Sequence, residues 1–402
     1  MPVIAPPDWL DKKFLETALK TEVDSFEVSA LGAVGDGYTS NLFRVEVELK
    51  EDKRQSVIVK RLAQSGDDNK FMWESTMFDR ETLMYRETLP KLEAILERAF
   101  PGETHPIGPQ HIYSSSGVLV MDDLAASGFE MKNRIEGLDL EHSLLVVRAL
   151  AKFHAASIIL HQEDPEALKM YDRSLFSEVV MQDNMRAYFT GMTCLLADEV
   201  ETWPEFGEKY AKKLRAMAPK MVELCEFGAR REEGRFNVLT HDDLWVNNLL
   251  FRGLKEVRFI DFQLPHFASA GNDLQVFFGT SLTDEVRQNH LDTLFKEYHT
   301  SLCDVLNALD CKDLLISLEQ LKEEYARSSV YGIMVAALFV PATLSRPGYE
   351  VPLFCKDQSL VNASIYTETR SMKVTREMFC ELQKQGAFKR AEKFKGIPHR
   401  TT

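Results

Sequence analysis

The hydrophobic pattern of the chain changes partway along, and this change limits the folds that the sequence can adopt. In the first part, apolar and polar residues alternate in segments such as Leu42–Leu49, which is typical of half-buried β-strands. In the second part, apolar residues recur at helical spacing, first in Leu138–His161. The sequence therefore predicts an α+β fold with a β-rich N-terminal lobe at 1–121, a hinge at 122–126 and a mostly helical lobe at 127–402.

The same patterns predict individual elements within each lobe. In the N-terminal lobe they predict helices at 8–20 and 70–89 and strands at Phe26–Ala30, Leu42–Leu49, Ser56–Lys60, Gln110–Ser114 and Val118–Met121. In the second lobe they predict helices at Leu138–His161, 177–190, 206–227, 284–308, 311–340 and 371–394, with short strands at Asn237–Leu239, Leu249–Arg252 and Val257–Ile260.

Composition excludes several classes of partner. The net charge of −14 disfavours binding to nucleic acid, because phosphate backbones attract basic surfaces. The six cysteines include no C-x-x-C pair, which argues against a zinc site or a disulfide framework. The N-terminus does not have the pattern of a signal peptide, and the longest apolar run, Ile333–Val340, is too short to cross a bilayer. We expect a cytoplasmic protein with no membrane association and no obligate protein partner.

One stretch of the second lobe contains the residues that phosphoryl transfer requires. His241, Asp243 and Asn248 form an H-x-D-x-x-x-x-N array, and the strand-like run Val257–Ile260 leads directly to Asp261. Asp243 can orient an attacking hydroxyl, whereas Asn248 and Asp261 can bind the Mg²⁺ that bridges nucleotide phosphates. His241 is expected to lie beneath this loop and to bond a backbone group. The sequence therefore predicts a kinase that uses ATP and Mg²⁺.

The N-terminal lobe offers a lysine for the nucleotide phosphates. Lys60 ends an apolar strand, where kinases place the lysine that neutralises phosphate charge. Glu81, on the helix that follows, is the expected carboxylate partner of Lys60, with Glu74 and Glu87 as alternatives. A solvated lysine at the end of a strand is the competing interpretation for this segment by itself.

Two further segments are candidates for nucleotide contacts. A glycine-containing turn between the first strands would let backbone amides approach phosphates, although such turns are also common without a ligand. The MDDL connector between the lobes could contact adenine, or could be an ordinary acidic turn. The predicted nucleotide-binding residues are Gly35, Gly37, Ser40, Lys60, Met121, Asp122 and Leu124.

Two ionisable residues near these motifs are predicted to be structural. Asp273 begins a helix and could cap it or brace the catalytic loop. His154, on the long amphipathic helix, is expected to be a core histidine with its hydrogen bonds satisfied.

Taken together, these motifs resemble the ecdysteroid kinase-like family, which is also called choline kinase-like. The resemblance rests on GDGYTSNLFRV at 35–45, IVK at 58–60, MDDL at 121–124, LAKFHAAS at 150–157, HDDLWVNN at 241–248 and IDFQ at 260–263. It implies a two-lobed, protein-kinase-like fold and an enzyme that phosphorylates a hydroxyl of a small molecule, either a steroid or a xenobiotic alcohol, with a role in detoxification. It also implies catalytic roles for Lys60, Glu81 and Asp243, and metal-binding roles for Asn248 and Asp261.

The chain departs from the usual motifs at two positions. Asp242 stands where the family usually has glycine, and a carboxylate there could raise the pKa of Asp243 or recruit a cation. Gln263 replaces the glycine that follows Asp-Phe in protein kinases, and the sequence has no A-P-E segment. The glutamine at this position and the missing A-P-E segment both favour a small-molecule acceptor over a protein acceptor.

Two alternative functions are compatible with the same residues. The acceptor could be a polar cation such as choline or an aminoglycoside, with Asp122, Asp123 and Asp242 contributing negative charge. The chain could also be a catalytically inactive, kinase-shaped binding protein, with Asp242 as a sign of lost activity.

Overall fold

A computed structural model describes residues 3–31, 40–50, 53–62, 68–174, 176–177, 183–344 and 369–395. The predicted phosphate-contacting residues Gly35 and Gly37 lie outside these described residues. Elements of the first lobe are β1 (Val3–Ile4), α1 (Lys12–Leu19), β2 (Val23–Leu31), β3 (Ser40–Leu49), β4 (Lys53–Leu62), α2 (Asp68–Leu83), a π-helical turn (Met84–Thr88), α3 (Leu89–Ala99), β5 (His111–Ser115) and β6 (Val118–Asp122).

The strands of the first lobe form one antiparallel sheet. In the described part of the chain it has six strands in the order β1-β2-β3-β4-β6-β5. On β3 the residues Phe43, Val45 and Val47 are buried, while the glutamates between and beyond the valines are exposed. This alternation buries one face of the sheet against α1, as expected for a half-buried strand.

The second lobe is mostly helical. It begins with a 3₁₀ turn (Leu124–Ser127), β7 (Glu130–Met131), α4 (Leu140–Glu163), a 3₁₀ segment (Pro165–Tyr171), α5 (Asp183–Glu201), a π-helical turn (Gly207–Ala211), α6 (Lys212–Met217), a 3₁₀ turn (Ala218–Lys220) and α7 (Met221–Ala229). Short strands and a 3₁₀ turn follow as β8 (Asn237–Leu239), Val246–Asn248, β9 (Leu249–Arg252), β10 (Glu256–Phe259) and β11 (Phe267–Ser269).

The remaining elements are helical. They are α8 (Gly271–Thr280), α9 (Asp284–Asn289), α10 (Leu291–Ala308), a 3₁₀ turn (Lys312–Leu314), α11 (Leu318–Arg327), α12 (Ser329–Met334), a π-helical turn (Val335–Phe339), α13 (Val340–Leu344), α14 (Thr369–Lys384) and α15 (Ala387–Lys393). This arrangement of a β-rich lobe and a mostly helical lobe is a two-lobed, protein-kinase-like fold of the α+β class, and it confirms the predicted fold class.

Helix α4 forms the centre of the helical lobe. Its N-cap is Asp139, whose carboxylate accepts a hydrogen bond from the backbone N–H of His142. Among the described residues, α4 has the length and composition of a membrane span, but 67% of that apolar window is buried within the protein. Leu318–Leu344 would pass the same test only as one span bent by 50°. The burial of α4 is that of a core helix.

Several boundaries differ from the prediction. The helix predicted to end at 89 continues through a π-helical turn and α3 to Ala99. The single helix predicted at 311–340 is divided, because Ser317 and Gln320 form a capping box that begins α11. The strands β1, β7 and β11 have two or three residues each, which is too short for a recognisable alternation in the sequence.

Candidate active site

Lys60 forms a buried ion pair with two carboxylates. Its ammonium nitrogen lies 2.7 Å from an oxygen of Glu81 and 2.8 Å from an oxygen of Asp261. Burial alone would lower the pKa of Lys60, but the charges and hydrogen bonds of these carboxylates raise it above its usual value. Lys60 is therefore a cation at neutral pH, held between the N-terminal lobe and the segment that follows β10.

Of the alternative partners for Lys60, Glu87 instead contacts Arg86 at 2.7 Å on the surface. The side chain of Glu74 lies outside the described residues. The carboxylate paired with Lys60 in the structure is thus the one on α2 that the sequence favoured.

His241 lies beneath the loop that carries Asp243. Its Nε2 donates a hydrogen bond to the carbonyl oxygen of Ile260 at 3.0 Å, and its Nδ1 accepts one from the backbone N–H of Asp243 at 3.3 Å. Burial lowers the pKa of the His241 imidazole, so the ring is neutral and both of its nitrogens are engaged. These contacts fix the backbone of the loop and leave His241 no role as a base.

Asp273 braces the same loop from α8. Its carboxylate accepts the backbone N–H of His241 at 2.8 Å and that of Asp242 at 2.7 Å. The Nε2 of His154 donates to the Asp273 carboxylate at 3.0 Å, while the hydroxyl of Tyr298 bonds the Nδ1 of His154 at 2.6 Å. All of these groups are buried. The predictions that Asp273 braces the catalytic loop and that His154 is a satisfied core histidine are confirmed.

The β9–β10 hairpin brings Asn248 close to Asp261. The backbone N–H of Ile260 donates to the carbonyl oxygen of Asn248 at 3.1 Å, one step beyond the last strand pair. The side-chain amide of Asn248 donates to the carbonyl oxygen and to the carboxylate of Asp243, both at 2.8 Å. These bonds use the N–H groups of the amide and leave its oxygen as the atom that can bind a cation.

Asp261 occupies a left-handed backbone conformation, with φ of 65°. Its N–H donates to the hydroxyl of Tyr85 at 3.0 Å, and the Tyr85 ring packs edge-on against Phe262 at 5.7 Å. The Asp261 side chain is 36% exposed, so one oxygen can contact Lys60 while the other remains accessible. Sequence reasoning missed Tyr85, because nothing in its local pattern indicates a contact 176 residues away.

The carboxylate of Asp243 is perturbed by its surroundings. Burial and the negative charge of Asp261 raise the pKa of Asp243 to about 8, against the hydrogen bonds from Asn248 and Trp245. The sequence suggested that Asp242 could raise the pKa of Asp243, but the carboxylate with the largest effect on that pKa is Asp261, with Asp273 contributing as well. The Asp242 carboxyl is itself buried beside His266.

The described site residues surround one cavity of about 680 Å³ between the lobes. The predicted residues in its lining are Ser40, Lys60, Glu81, Met121, Asp122, Leu124, Asp243, Asn248 and Asp261. The lining also includes apolar side chains, among them Leu42 on β3, Ile58 on β4 and Ile260 after β10. One cavity therefore brings together the candidate nucleotide-binding, catalytic and metal-binding residues.

The connector between the lobes has structural contacts of its own. The carboxylate of Asp123 contacts Arg44 at 2.6 Å, accepts the hydroxyl of Ser56 at 2.7 Å and caps the 3₁₀ turn at Ala125. The carboxylate of Asp122 accepts the backbone N–H of Gln110 at 2.5 Å. Both acids thus stabilise the connector, while the Asp122 and Leu124 side chains still line the cavity.

The lining of the cavity also includes residues that sequence reasoning did not identify. We call these residues the apolar wall: Phe176, Tyr188, Phe189, Leu264, Leu338, Phe339, Ala342 and Thr343. They come from α5, from the π-helical turn at Val335–Phe339, from α13, and from the segments before α5 and after Asp261. No motif links positions so far apart in the chain, so only the fold reveals the wall.

Fold and site together define a phosphotransferase of the kinase type that acts on a hydroxyl group. The model of the ecdysteroid kinase-like family matches residues 34–311, and the chain belongs to that family. A comparison with curated protein sequences found no match.

Three solved structures illustrate how the chain compares with known folds. An ethanolamine kinase of Plasmodium vivax is 14% identical, with a TM-score of 0.44 over 92% of this chain and 86% of its own. A macrolide 2'-phosphotransferase of Brachybacterium faecium is 10% identical, with a TM-score of 0.44 over 89% of this chain and 96% of its own. A choline kinase of Streptococcus pneumoniae is 12% identical, with a TM-score of 0.40 over 91% and 97%.

Proposed function

We propose that this chain uses ATP and Mg²⁺ to phosphorylate a hydroxyl of a small, largely apolar molecule. An ecdysteroid-like steroid or a xenobiotic alcohol is the kind of acceptor that we expect. The observation that carries this proposal is that one cavity is lined both by Asp243 and the Lys60 ion pair and by the apolar wall.

The polar side of the cavity suits a nucleotide. Lys60 is a buried cation at the end of a strand, where it can contact phosphate oxygens while Glu81 holds it in place. Met121 and the neighbouring apolar side chains offer a surface for an adenine ring. Ser40 lines the same cavity and can donate to phosphate through its hydroxyl.

The residues next to Lys60 fit a magnesium ion. The side-chain oxygen of Asn248 and the accessible oxygen of Asp261 are hard ligands of the type that Mg²⁺ prefers. No group of three or more acidic, imidazole or thiol side chains able to hold a metal occurs among the described residues, so phosphates and water would complete the coordination. When bound, Mg²⁺ would neutralise charge on the phosphates and on Asp261, which favours the ionised form of Asp243.

Asp243 is the group that we propose to orient the acceptor. Its carboxylate lines the cavity and is held by the amide of Asn248. A hydroxyl bound beside it would donate a hydrogen bond to Asp243 and transfer its proton as its oxygen bonds the γ-phosphorus of ATP, while the bond from that phosphorus to the bridging oxygen breaks and ADP leaves. Because such a reaction needs little covalent chemistry from the protein, its rate depends on positioning and charge neutralisation.

The apolar wall favours an uncharged acceptor over choline or an aminoglycoside. Of the acids in the described cavity lining, Glu81 and Asp261 contact Lys60, and Asp123 contacts Arg44. Asp242, a candidate ligand for a cationic acceptor, is buried outside the lining. The described wall residues themselves carry no charge. Binding an apolar ring system there would remove hydrophobic surface from water.

A product survey tests this function. The protein would be incubated with Mg²⁺, labelled ATP and separate panels of steroid alcohols, xenobiotic alcohols, and cationic acceptors such as choline and aminoglycosides. Mass spectrometry would then identify phosphorylated products. We expect products from the first two panels with the natural chain, and none with Asp243→Asn.

Asp198→Asn is the matched control, because Asp198 is an exposed carboxylate that contacts Arg215 outside the cavity lining. This variant should keep full activity. Phosphorylation confined to the cationic panel would overturn the proposed acceptor class. If no acceptor is phosphorylated and ATP with Mg²⁺ gives no thermal stabilisation, the result favours the alternative function, a catalytically inactive, kinase-shaped binding protein.

We propose the cytoplasm as the site of action. The five cysteines that the structure describes (Cys194, Cys225, Cys303, Cys311 and Cys380) are all unpaired. Free thiols of this kind are typical of proteins that work in a reducing compartment.

A further inference from the structure

Trp245 lies between the proposed base and a proposed metal ligand in the catalytic loop. Its backbone N–H donates to the carbonyl oxygen of Asp243 at 3.1 Å, and its own carbonyl oxygen accepts the N–H of Asn248 at 2.9 Å. Trp245 is also the N-cap of the 3₁₀ turn Val246–Asn248. These bonds hold the backbone of Trp245 in a fixed place next to the group that would take the proton of the acceptor.

The side chain of Trp245 lines the cavity, whereas its two neighbours anchor the loop. Leu244 and Val246 are fully buried in a hydrophobic cluster that includes residues of α4. Trp245 is partly exposed and belongs to the lining of the cavity, as does Asp243. The loop thus presents one large ring to the cavity while the flanking apolar side chains stabilise its backbone.

The indole ring of Trp245 has no aromatic or hydrophobic-core partner among the described residues. Within that part of the chain it belongs to none of the hydrophobic clusters, and neither an aromatic ring nor a cation stacks on it. Trp9, in contrast, packs against Phe14 with ring centroids 5.7 Å apart, and Trp203 packs against Phe206 at 6.3 Å. A large ring that lines a cavity without such partners offers its apolar surface to a ligand.

The location of the indole favours the acceptor over the nucleotide as its partner. Of the predicted nucleotide contacts in the cavity, Lys60 and Met121 belong to the N-terminal sheet and Leu124 to the connector. Trp245, in contrast, lies two residues beyond Asp243 in the catalytic loop. When a hydroxyl donates to the Asp243 carboxylate, the atoms that carry this hydroxyl are therefore the part of the acceptor nearest to the indole.

The shape of the indole favours a ring in this part of the acceptor. A rigid ring covers a flat aromatic face with little loss of conformational freedom, whereas an open chain must give up several torsional states to make the same contact. Phe189 and Phe339 of the apolar wall add further aromatic surface to the same cavity. The lining is therefore better suited to a rigid ring system than to a flexible chain.

We propose that Trp245 is a specificity-determining residue whose indole packs against the ring next to the reacting hydroxyl, so that alcohols on a rigid ring system are preferred to open-chain alcohols. The inference rests on the proposed function for the reaction, but not for the binding contact itself. It narrows the acceptor class from largely apolar alcohols in general to ring alcohols.

Intrinsic fluorescence tests the contact without any turnover. The full chain, which has four tryptophans, would be titrated without nucleotide using decalol, a rigid alcohol of two fused rings. We expect a saturating change in emission that persists in Trp9→Phe and disappears in Trp245→Phe. Trp9 is the matched control, because it is a partly exposed tryptophan outside the cavity lining. A Trp245 signal that responds to ATP with Mg²⁺ but not to decalol, or that responds to neither, would overturn the proposal.

Kinetics with a matched pair of acceptors test the preference. The second acceptor is a secondary decanol, an open-chain alcohol with as many carbon atoms as decalol. The natural chain and Trp245→Phe, which keeps a ring, should favour decalol in kcat/KM by at least about fivefold. Trp245→Leu should bring this ratio below about twofold, because leucine offers no flat face.

The ratio of the two acceptors separates specificity from a general loss of activity. Any effect of the substitution on Asp243 acts on both alcohols and cancels in the ratio. Equal losses for both alcohols in Trp245→Leu would contradict the proposal. If the product survey finds no phosphorylation at all, the proposed function fails, and the fluorescence titration still decides whether the indole contacts a ring.

Discussion

Replacing Asp243 by asparagine is expected to make the protein more stable at neutral and alkaline pH, although it removes the proposed catalytic carboxylate. Burial and the charge of Asp261 raise the pKa of Asp243 to about 8, well above its ordinary value of 3.8. Between these two values the folded chain binds a proton at this site more tightly than the unfolded chain does. The free energy of unfolding therefore falls as the pH rises through this interval.

The size of the effect follows from the pKa of Asp243. A shift from 3.8 to about 8 corresponds to roughly 5–6 kcal/mol when the carboxyl is fully ionised, at ~1.36 kcal/mol per unit. Asp243 is only half-buried, and solvent screening reduces this upper limit to about 1–3 kcal/mol. The amide oxygen of the variant can still accept the hydrogen bond from Asn248, so the change removes mainly the charge.

Thermal unfolding as a function of pH measures this gain. The melting temperature of Asp243→Asn relative to the natural chain should rise by roughly 2–5 °C between about pH 5 and pH 8, and should stay level above that. Asp198→Asn, at an exposed carboxylate, should show no such trend. A difference that is independent of pH, or a variant that is less stable at high pH, would refute the assignment of a raised pKa to Asp243.

Three further variants test the supporting contacts. Lys60→Met should leave the carboxylates of Glu81 and Asp261 without their cation. The free energy of unfolding, measured by denaturant titration, should fall by about 2–4 kcal/mol, and kcat should fall by at least about 100-fold. Asp273→Asn should cost about 2–4 kcal/mol at neutral pH, since the hydrogen bonds and charge of His154 hold the pKa of Asp273 below its usual value against the effect of burial. That deficit should shrink as the pH falls from about 4 towards the lowered pKa of Asp273 in the folded chain, because the natural carboxylate loses its charge by the end of this interval. Tyr85→Phe removes the acceptor of the Asp261 N–H, and steady-state kinetics should show kcat about 3–10-fold lower with little change in expression or folding.

The catalytic loop was predictable because its chemistry is local in sequence. Asp243, Asn248 and Asp261 lie within one loop and one hairpin, so their spacing in the chain largely fixes their spacing in the fold. Lys60 could be added because an apolar strand followed by a helix carboxylate is itself a local pattern. The two-lobed fold was predictable for a similar reason, since strand and helix periodicities occupy different parts of the chain.

The surroundings of these residues could not be predicted in the same way. Adjacent positions in sequence suggested that Asp242 would act on Asp243, but the left-handed conformation at Asp242 accompanies a side chain buried against His266. The carboxylate with the largest effect on the pKa of Asp243 is Asp261, which the β9–β10 hairpin brings close to it. The apolar wall combines segments that are more than 100 residues apart, and no periodicity within one segment encodes such a contact.

Charge balance links the stability of the cavity to its proposed chemistry. The described residues in its lining include five carboxylates but only two cations, Arg44 and Lys60. A nucleotide triphosphate would add more negative charge, and Coulomb repulsion in a partly desolvated site would oppose its binding. A divalent cation next to Asn248 and Asp261 would reverse that balance and would also favour the ionised form of Asp243. The same excess of acid that destabilises the folded chain at high pH would therefore make nucleotide binding depend on a metal. A variant that relieves this destabilisation should also make nucleotide binding less dependent on the metal.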